Sequence, residues 1–200
     1  MERLLLFVLL FSLVSCIPQV NSSNKVLVVN APTETSVSSI APEVISQLST
    51  KYASPVYKVI PDSVSGFAEG HTDLFGSRAV LNTSSTANRL GAEVAVMVSA
   101  PLFDREVKLS GSGADERRKV STRVQVQVTV LDPVGQEELS SYKSAIFTSF
   151  RSEVTSVPLP ALDEDPDMQK SLDAALADLI PQLAQDLDYV FQKLSPEVSN

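Results

Sequence analysis

Few residues in this sequence combine the types and spacing that chemistry requires. His71, in Glu69-Gly70-His71-Thr72-Asp73, is the only histidine, and no serine sits in a Gly-x-Ser-x-Gly setting to partner it as a nucleophile. Asp163, Asp165 and Asp167 alternate as calcium-loop ligands do. Pro166 and Met168 intervene, however, and no glycine supplies the sharp turn, so these carboxylates read as acidic residues favouring a helix N-terminus. Gly111-Ser112-Gly113 lacks the lysine of a phosphate loop and reads as a hairpin tip. Asn21-Ser22-Ser23 and Asn82-Thr83-Ser84 match the glycosylation acceptor pattern, which matters only behind a eukaryotic signal peptide. Catalysis needs paired groups with shifted pKa values, and the sequence offers no such pair. The expectation is a non-enzymatic protein with no cofactor and no metal site.

The elements that carry these residues are clearer than the residues themselves. Val120, Thr122, Val124, Val126, Val128 and Val130 alternate with Ser121, Arg123, Gln125, Gln127 and Thr129, which predicts a long strand with one dry and one wet face. Asp132-Pro133-Val134-Gly135 supplies turn chemistry, with glycine able to take a positive φ. The chain returns over about Leu139–Phe150, where Tyr142, Ile146 and Phe150 share a parity and are expected on the dry side.

Ahead of this hairpin, Val26-Leu27-Val28-Val29 and Val94-Ala95-Val96-Met97-Val98 are continuous apolar runs, the mark of strands covered on both faces. Pro101 is expected beyond the end of the second. Ile40, Val44, Leu48 and Tyr52 recur every four residues as one helical stripe, followed by a strand over Val56–Ile60. A brief helix capped by Ser84 or Ser85 is expected to stop at Gly91. Asp165-Pro166 starts a last helix, cap then proline, with Met168, Leu172, Leu176, Leu179, Leu183, Leu187, Val190 and Leu194 on one stripe. Pro181 inside it predicts a kink.

The N-terminus carries an address. An apolar run from Leu4 to Leu13 has the length of a signal-peptide core, about half a membrane-spanning helix. It ends in Leu13-Val14-Ser15-Cys16, which resembles the lipobox of bacterial lipoproteins, and Cys16 is the only cysteine of the chain. The resemblance implies cleavage after residue 15 and acylation of Cys16. Ile17 in place of aspartate implies the outer membrane, facing the periplasm. Residues 16–24 then form a lipidated tether, in which the eight residues after Cys16 reach at most ~26 Å. A chain without a second thiol has no disulfides and no thiolate metal site.

Formal net charge is −8 over 200 residues, with 44% hydrophobic residues. The chain is long enough for one domain with a real core, and nucleic acid, which selects basic surfaces, is excluded as a partner class. Within this acidic chain Leu102–Lys119 stands out as an excursion bearing Arg117, Arg118 and Lys119 together with apolar Phe103, Val107 and Leu109. Phe103, Val107, Leu109, Arg117 and Arg118 are the expected partner-binding residues, since local positive charge speeds association with an acidic surface.

Lys25–Asn30, Leu90-Gly91-Ala92-Glu93-Val94-Ala95-Val96-Met97, Val124–Ser144 and the helix over Ser171–Leu187 follow one another in an order that resembles a known fold. It is shared by the TolB amino-terminal domain, the curli-secretion lipoprotein CsgG and the LpoB-type activators of penicillin-binding proteins. The resemblance implies a single two-layer α/β domain over residues 25–195, with a mixed sheet of about five strands and a long C-terminal helix. It also implies action by contact: an envelope lipoprotein that binds another envelope protein as adaptor or regulator. The other reading is a self-associating subunit of an assembly or secretion complex. Leu102–Lys119 is too short and too charged to form the membrane hairpins of CsgG-like pores.

Overall fold

The computed structural model describes residues 25–30, 40–52, 55–59, 77–112 and 116–194; Cys16, His71, Asn21 and the tether lie outside them. Nine elements follow in order: β1 (Val26–Asn30), α1 (Ile40–Ser49), β2 (Val56–Val59), α2 (Ser77–Leu90), β3 (Val94–Ser110), β4 (Arg117–Asp132), β5 (Glu137–Lys143), β6 (Phe147–Val154) and α3 (Pro166–Leu194). The strands form one mixed sheet of six. β1 runs parallel to both β2 and β3, and every later pairing is antiparallel.

From β1 the chain crosses first to one side, to β2, and then back over β1 to β3. Crossovers of one hand in opposite directions must place their helices on opposite faces of the sheet. The core divides accordingly. Val26, Val28, Val96, Val98, Val126 and Val128 pack with α1 and α3, while Leu27, Val29, Ala95 and Leu131 pack with Ala87 of α2. The α/β class, mixed sheet and long C-terminal helix therefore hold, with a sixth strand and a partial third layer that the two-layer expectation lacked.

The predicted stripes are buried in the same core, Ile40, Val44, Leu48 and Tyr52 of α1 with Met168, Leu172, Leu176, Leu179, Leu183 and Leu187 of α3. α3 stays helical through Pro181, which is exposed, so the missing donor does not end the helix. α2 begins seven residues before Ser84, making Ser84 and Thr83 buried interior residues of a longer helix, not caps. Gly91 ends it at φ 66°, with the amides of Gly91 and Ala92 donating to the carbonyls of Asn88 and Ala87. These are the two bonds of a Schellman motif.

Two insertions shape the long strands. β3 runs straight through Pro101, with a register shift between Ser99 and Leu102 that moves its buried positions from Val94, Val96, Val98 and Ala100 to Phe103. An extra residue in one strand reverses which side chains face which way. The return strand is likewise split. β5 pairs with Gln127–Asp132 and β6 with Arg117–Val124, and the register changes by one residue across 144–146. Tyr142 consequently packs against the core, whereas Ile146 and Phe150 face solvent, contrary to their shared parity. At the other end of β4 the left-handed residue is Gln136 (φ 56°), not Gly135. Gly135 is needed for space, because a Cβ there would stand 2.7 Å from Asp132 Oδ2.

A candidate interaction surface

The second half of β3, the first half of β4 and all of β6 form a three-stranded arm. Among the described residues no strand pairs with the outer edge of β3 over Leu102–Ser110 or with the outer edge of β6. One face of the arm is turned to the first turns of α3. No described element covers the other, because α2 packs only where β1, β3 and the end of β4 meet.

On the helix side the arm is fastened by charge. The Asp165 side chain is fully buried and caps α3, accepting from the Asp167 amide at 3.0 Å. Arg151 chelates it from β6 (Nη1–Oδ1 2.6 Å, Nη2–Oδ2 2.9 Å), and Arg105 from β3 donates to Oδ2 at 2.8 Å. Arg151 also reaches Asp167 at 2.5 Å, and Arg118 binds Glu153 at 2.6 Å and the Val157 carbonyl. Burial pushes the Asp165 carboxyl up, but hydrogen bonds from Arg151, Arg105 and the Asp167 amide outweigh it and hold it at about 2. The bond to Asp165 in turn raises Arg151 above the ordinary guanidinium value. Every charge in this cluster has an opposite partner, the condition under which buried ions are tolerated. Its chemistry is that of a fastening. Among the described residues no group of three or more His, Cys, Asp or Glu is placed to hold a metal ion.

The structure separates the five expected contact residues. Phe103, 6% exposed, belongs to the core, and Arg118, 7% exposed, is spent on Glu153 and Val157, so neither is presented to a partner. Both positions alternate onto the inner face, where helix and strap cover them. Val107 and Leu109 lie on that same face but beyond the helix, and Leu109 is 64% exposed. Arg117 is exposed on the opposite, outer face.

That outer face carries residues the sequence pattern did not single out. Phe150 stands 75% exposed beside a groove of about 380 Å³ bordered by Glu106, Lys108, Lys119, Ser121 and Ser152. Lys108 lies directly opposite Lys119 across the β3–β4 ladder, a like-charge pairing that disfavours the sheet. Glu106 bonds Lys108 at 3.1 Å and Asp104 bonds Arg123 at 2.6 Å, but among the described residues no anion pairs with Arg117 or Lys119. Phe150 could have been found only by knowing of the inserted residue at 144–146.

The opposite end of the molecule has another character. A cleft of about 580 Å³ between the end of α3 and the β4–β5 turn is lined by Glu93, Asp132, Glu137, Asp186, Tyr189 and Lys193. Asp186 accepts from Ser140 Oγ at 2.6 Å and Tyr142 at 3.2 Å. Burial, then Asp186, pushes the Tyr142 hydroxyl up; burial raises Glu93, with Lys25 opposing.

No protein-family model matches this chain, and no curated protein matches it in sequence. Solved structures do resemble it. Lipoprotein GNA1162 from Neisseria meningitidis aligns at TM-score 0.40 and 14% identity, over 80% of this chain and 98% of its own. A neuraminyllactose-binding hemagglutinin homolog from Helicobacter pylori aligns at 0.47 and 11%, over 86% and 92%. The PelC dodecamer from Paraburkholderia phytofirmans aligns at 0.40 and 14%, over 78% and 88%. All three scores lie below 0.5, so nothing that those proteins bind or assemble is transferred to this chain. Among the described residues no helix is long and apolar enough to cross a membrane.

Proposed function

We propose that this chain is an envelope lipoprotein, held by acyl chains on Cys16, that works without catalysis by binding another envelope protein as adaptor or regulator. The observation that carries the reading is the arm. A protein that only had to fold has no use for three strands running past its helices with a face that no described element covers, an exposed Phe150, and Arg117 and Lys119 without an anion among the described residues. Surfaces of this kind, aromatic with a basic rim, are what protein partners select. The position of the sole cysteine, directly after the apolar run, supports the anchor. Its expected site is the outer membrane, facing the periplasm.

Two measurements test this. Cys16→Ala should abolish incorporation of labelled palmitate, and continued labelling would remove the lipoprotein reading. Replacing Ser110–Arg117 by Asn-Gly joins the facing residues Leu109 and Arg118 through a two-residue turn. The shortened chain should melt near wild type, and adding Lys119→Glu and Phe150→Ser to it should abolish the in-cell crosslink to a partner; an unchanged crosslink would move the binding surface elsewhere.

A second reading, a self-associating assembly subunit, is favoured by the two unpaired edges of the arm, which can template strand addition. Light scattering on the detergent-solubilised protein separates the two, since a large defined oligomer belongs to assembly.

A further inference from the structure

The tether and the arm leave the domain at opposite ends of one sheet. Lys25, where the tether joins, precedes β1, and β1 pairs in parallel with the start of β3, Val26 facing Val94. Lys25 accepts from the Glu93 amide at 2.9 Å, beside the β4–β5 turn and the end of α3. From Val94, β3 runs 17 residues to Ser110 at the arm tip, a span of about 50 Å at strand rise. The tether adds at most ~26 Å at the other end. The tethered end is also acidic, carrying Glu93, Asp132, Glu137 and Asp186, so an anionic lipid surface repels it and does not draw it down.

We propose that the outer face of the arm, with Arg117, Lys119 and Phe150, is a docking surface held on the side of the molecule away from its own membrane, and that its occupant is an acidic protein surface. This rests on anchoring through Cys16. Charge complementarity selects the occupant: among the described residues Arg117 and Lys119 have no anion, and both lie on the face of the exposed Phe150, between it and the arm tip. Edge protection does not explain Lys119, because β4 is the middle strand of the arm. In that orientation the anchored membrane itself is out of reach of this face. A second anchored copy offers its acidic cleft at the wrong height, since an arm meets a cleft only if one molecule is inverted.

The test uses the full acylated protein in phosphatidylethanolamine–phosphatidylglycerol vesicles carrying a headgroup acceptor dye. Acylation blocks Cys16, so Ser112→Cys and Val134→Cys each provide a single labelling site; Val134 is 83% exposed on the β4–β5 turn. Energy transfer should be strong from Val134→Cys and fall to near background from Ser112→Cys. Equal or reversed transfer overturns the orientation while leaving acylation, measured separately through Cys16→Ala, untouched. The occupant is tested in cells with a photoreactive phenylalanine analogue at position 150. The expected product is a crosslink that maps to an acidic segment of a different protein and is lost in Lys119→Glu. Crosslinking to lipid or to a second copy, a product indifferent to Lys119→Glu, or no product overturns the docking assignment.

Discussion

Asp165 shows how a single side chain holds the arm to the body. It lies where sequence places a helix cap, and capping alone is worth about 1 kcal/mol. The fold adds two arginines from strands sixty and fourteen positions earlier in the chain, so the carboxylate becomes the centre of a buried ion network. Asp165→Asn keeps the shape and a capping oxygen but leaves Arg105 and Arg151 without their counter-charge. The expected loss is about 3 kcal/mol or more at neutral pH, the usual result of breaking a buried pair. The pH dependence has a definite sign. Because the folded-state value of about 2 lies below the ordinary 3.8, this stabilisation is complete above about pH 4 and fades as pH falls through 2. Urea unfolding of wild type and Asp165→Asn between pH 7 and pH 2 should give midpoints that converge at the acid end. A constant gap would mean that Asp165 titrates normally.

Among the elements, the break at 144–146 decides what β6 shows to whom. Ser144 still bonds Val126 in both directions, its amide donating to the carbonyl at 2.9 Å and its hydroxyl oxygen accepting from the amide at 3.1 Å. Asp178 of α3 then accepts from the Ala145 amide at 3.0 Å, satisfying a group that the ladder no longer reaches. Past this point Phe147, Ser149, Arg151 and Glu153 face the helix, and Phe150 and Val154 face solvent. Deleting Ala145 removes the extra residue, so β5 and β6 become one unbroken strand with Phe147 still opposite Val124 and every β6 side chain facing as before. Arg151 and Glu153 keep Asp165 and Arg118, and only the local bend and the bond from the Ala145 amide to Asp178 are lost. The deletion should cost about 1 kcal/mol, the worth of one such bond. A loss of several kcal/mol would show that β6 had turned over instead.

For the whole molecule, the two ends of the sheet differ in how they are held. The body is layered on both faces, with Val96, Val98, Val126 and Val128 under α1 and α3 and Ala95 and Leu131 under α2. Among the described residues the arm is covered on one face only, and towards its tip that covering passes from apolar contacts at Phe103 and Val124 to the ion network. Local opening is governed by such differences in packing. Hydrogen exchange should therefore find the amides of Val96 and Val128 protected until global unfolding, with those of Leu109, Arg118 and Val120 opening earlier. Asp165→Asn should accelerate the arm amides and leave those of the body unchanged. Uniform acceleration would make arm and body one cooperative unit, and the arm's independence as a contact element would fall with it.

The sequence by itself determined much of what depends on neighbours along the chain, though not the start of α2, the course of β3 through Pro101 or the left-handed residue of the β4–β5 turn. The alternation of Val120–Val130, the four-residue stripe Ile40–Tyr52, the Asp165-Pro166 start and the Gly91 stop were all legible, because each is a local periodicity or a local backbone requirement. The α/β class followed from their order. What only the tertiary structure decided were the features set by register. One residue added near Pro101 and one at 144–146 reversed the facing of the rest of β3 and of β6, so Phe103 went inside and Phe150 came out, whereas Arg118 went inside simply by keeping the parity of Val120–Val130. A period of two carries no record of where an extra residue is accommodated, since either phase is equally regular. That choice is made by what lies across the sheet: α3 offers Asp165, Asp167 and Asp178 to one phase and nothing to the other.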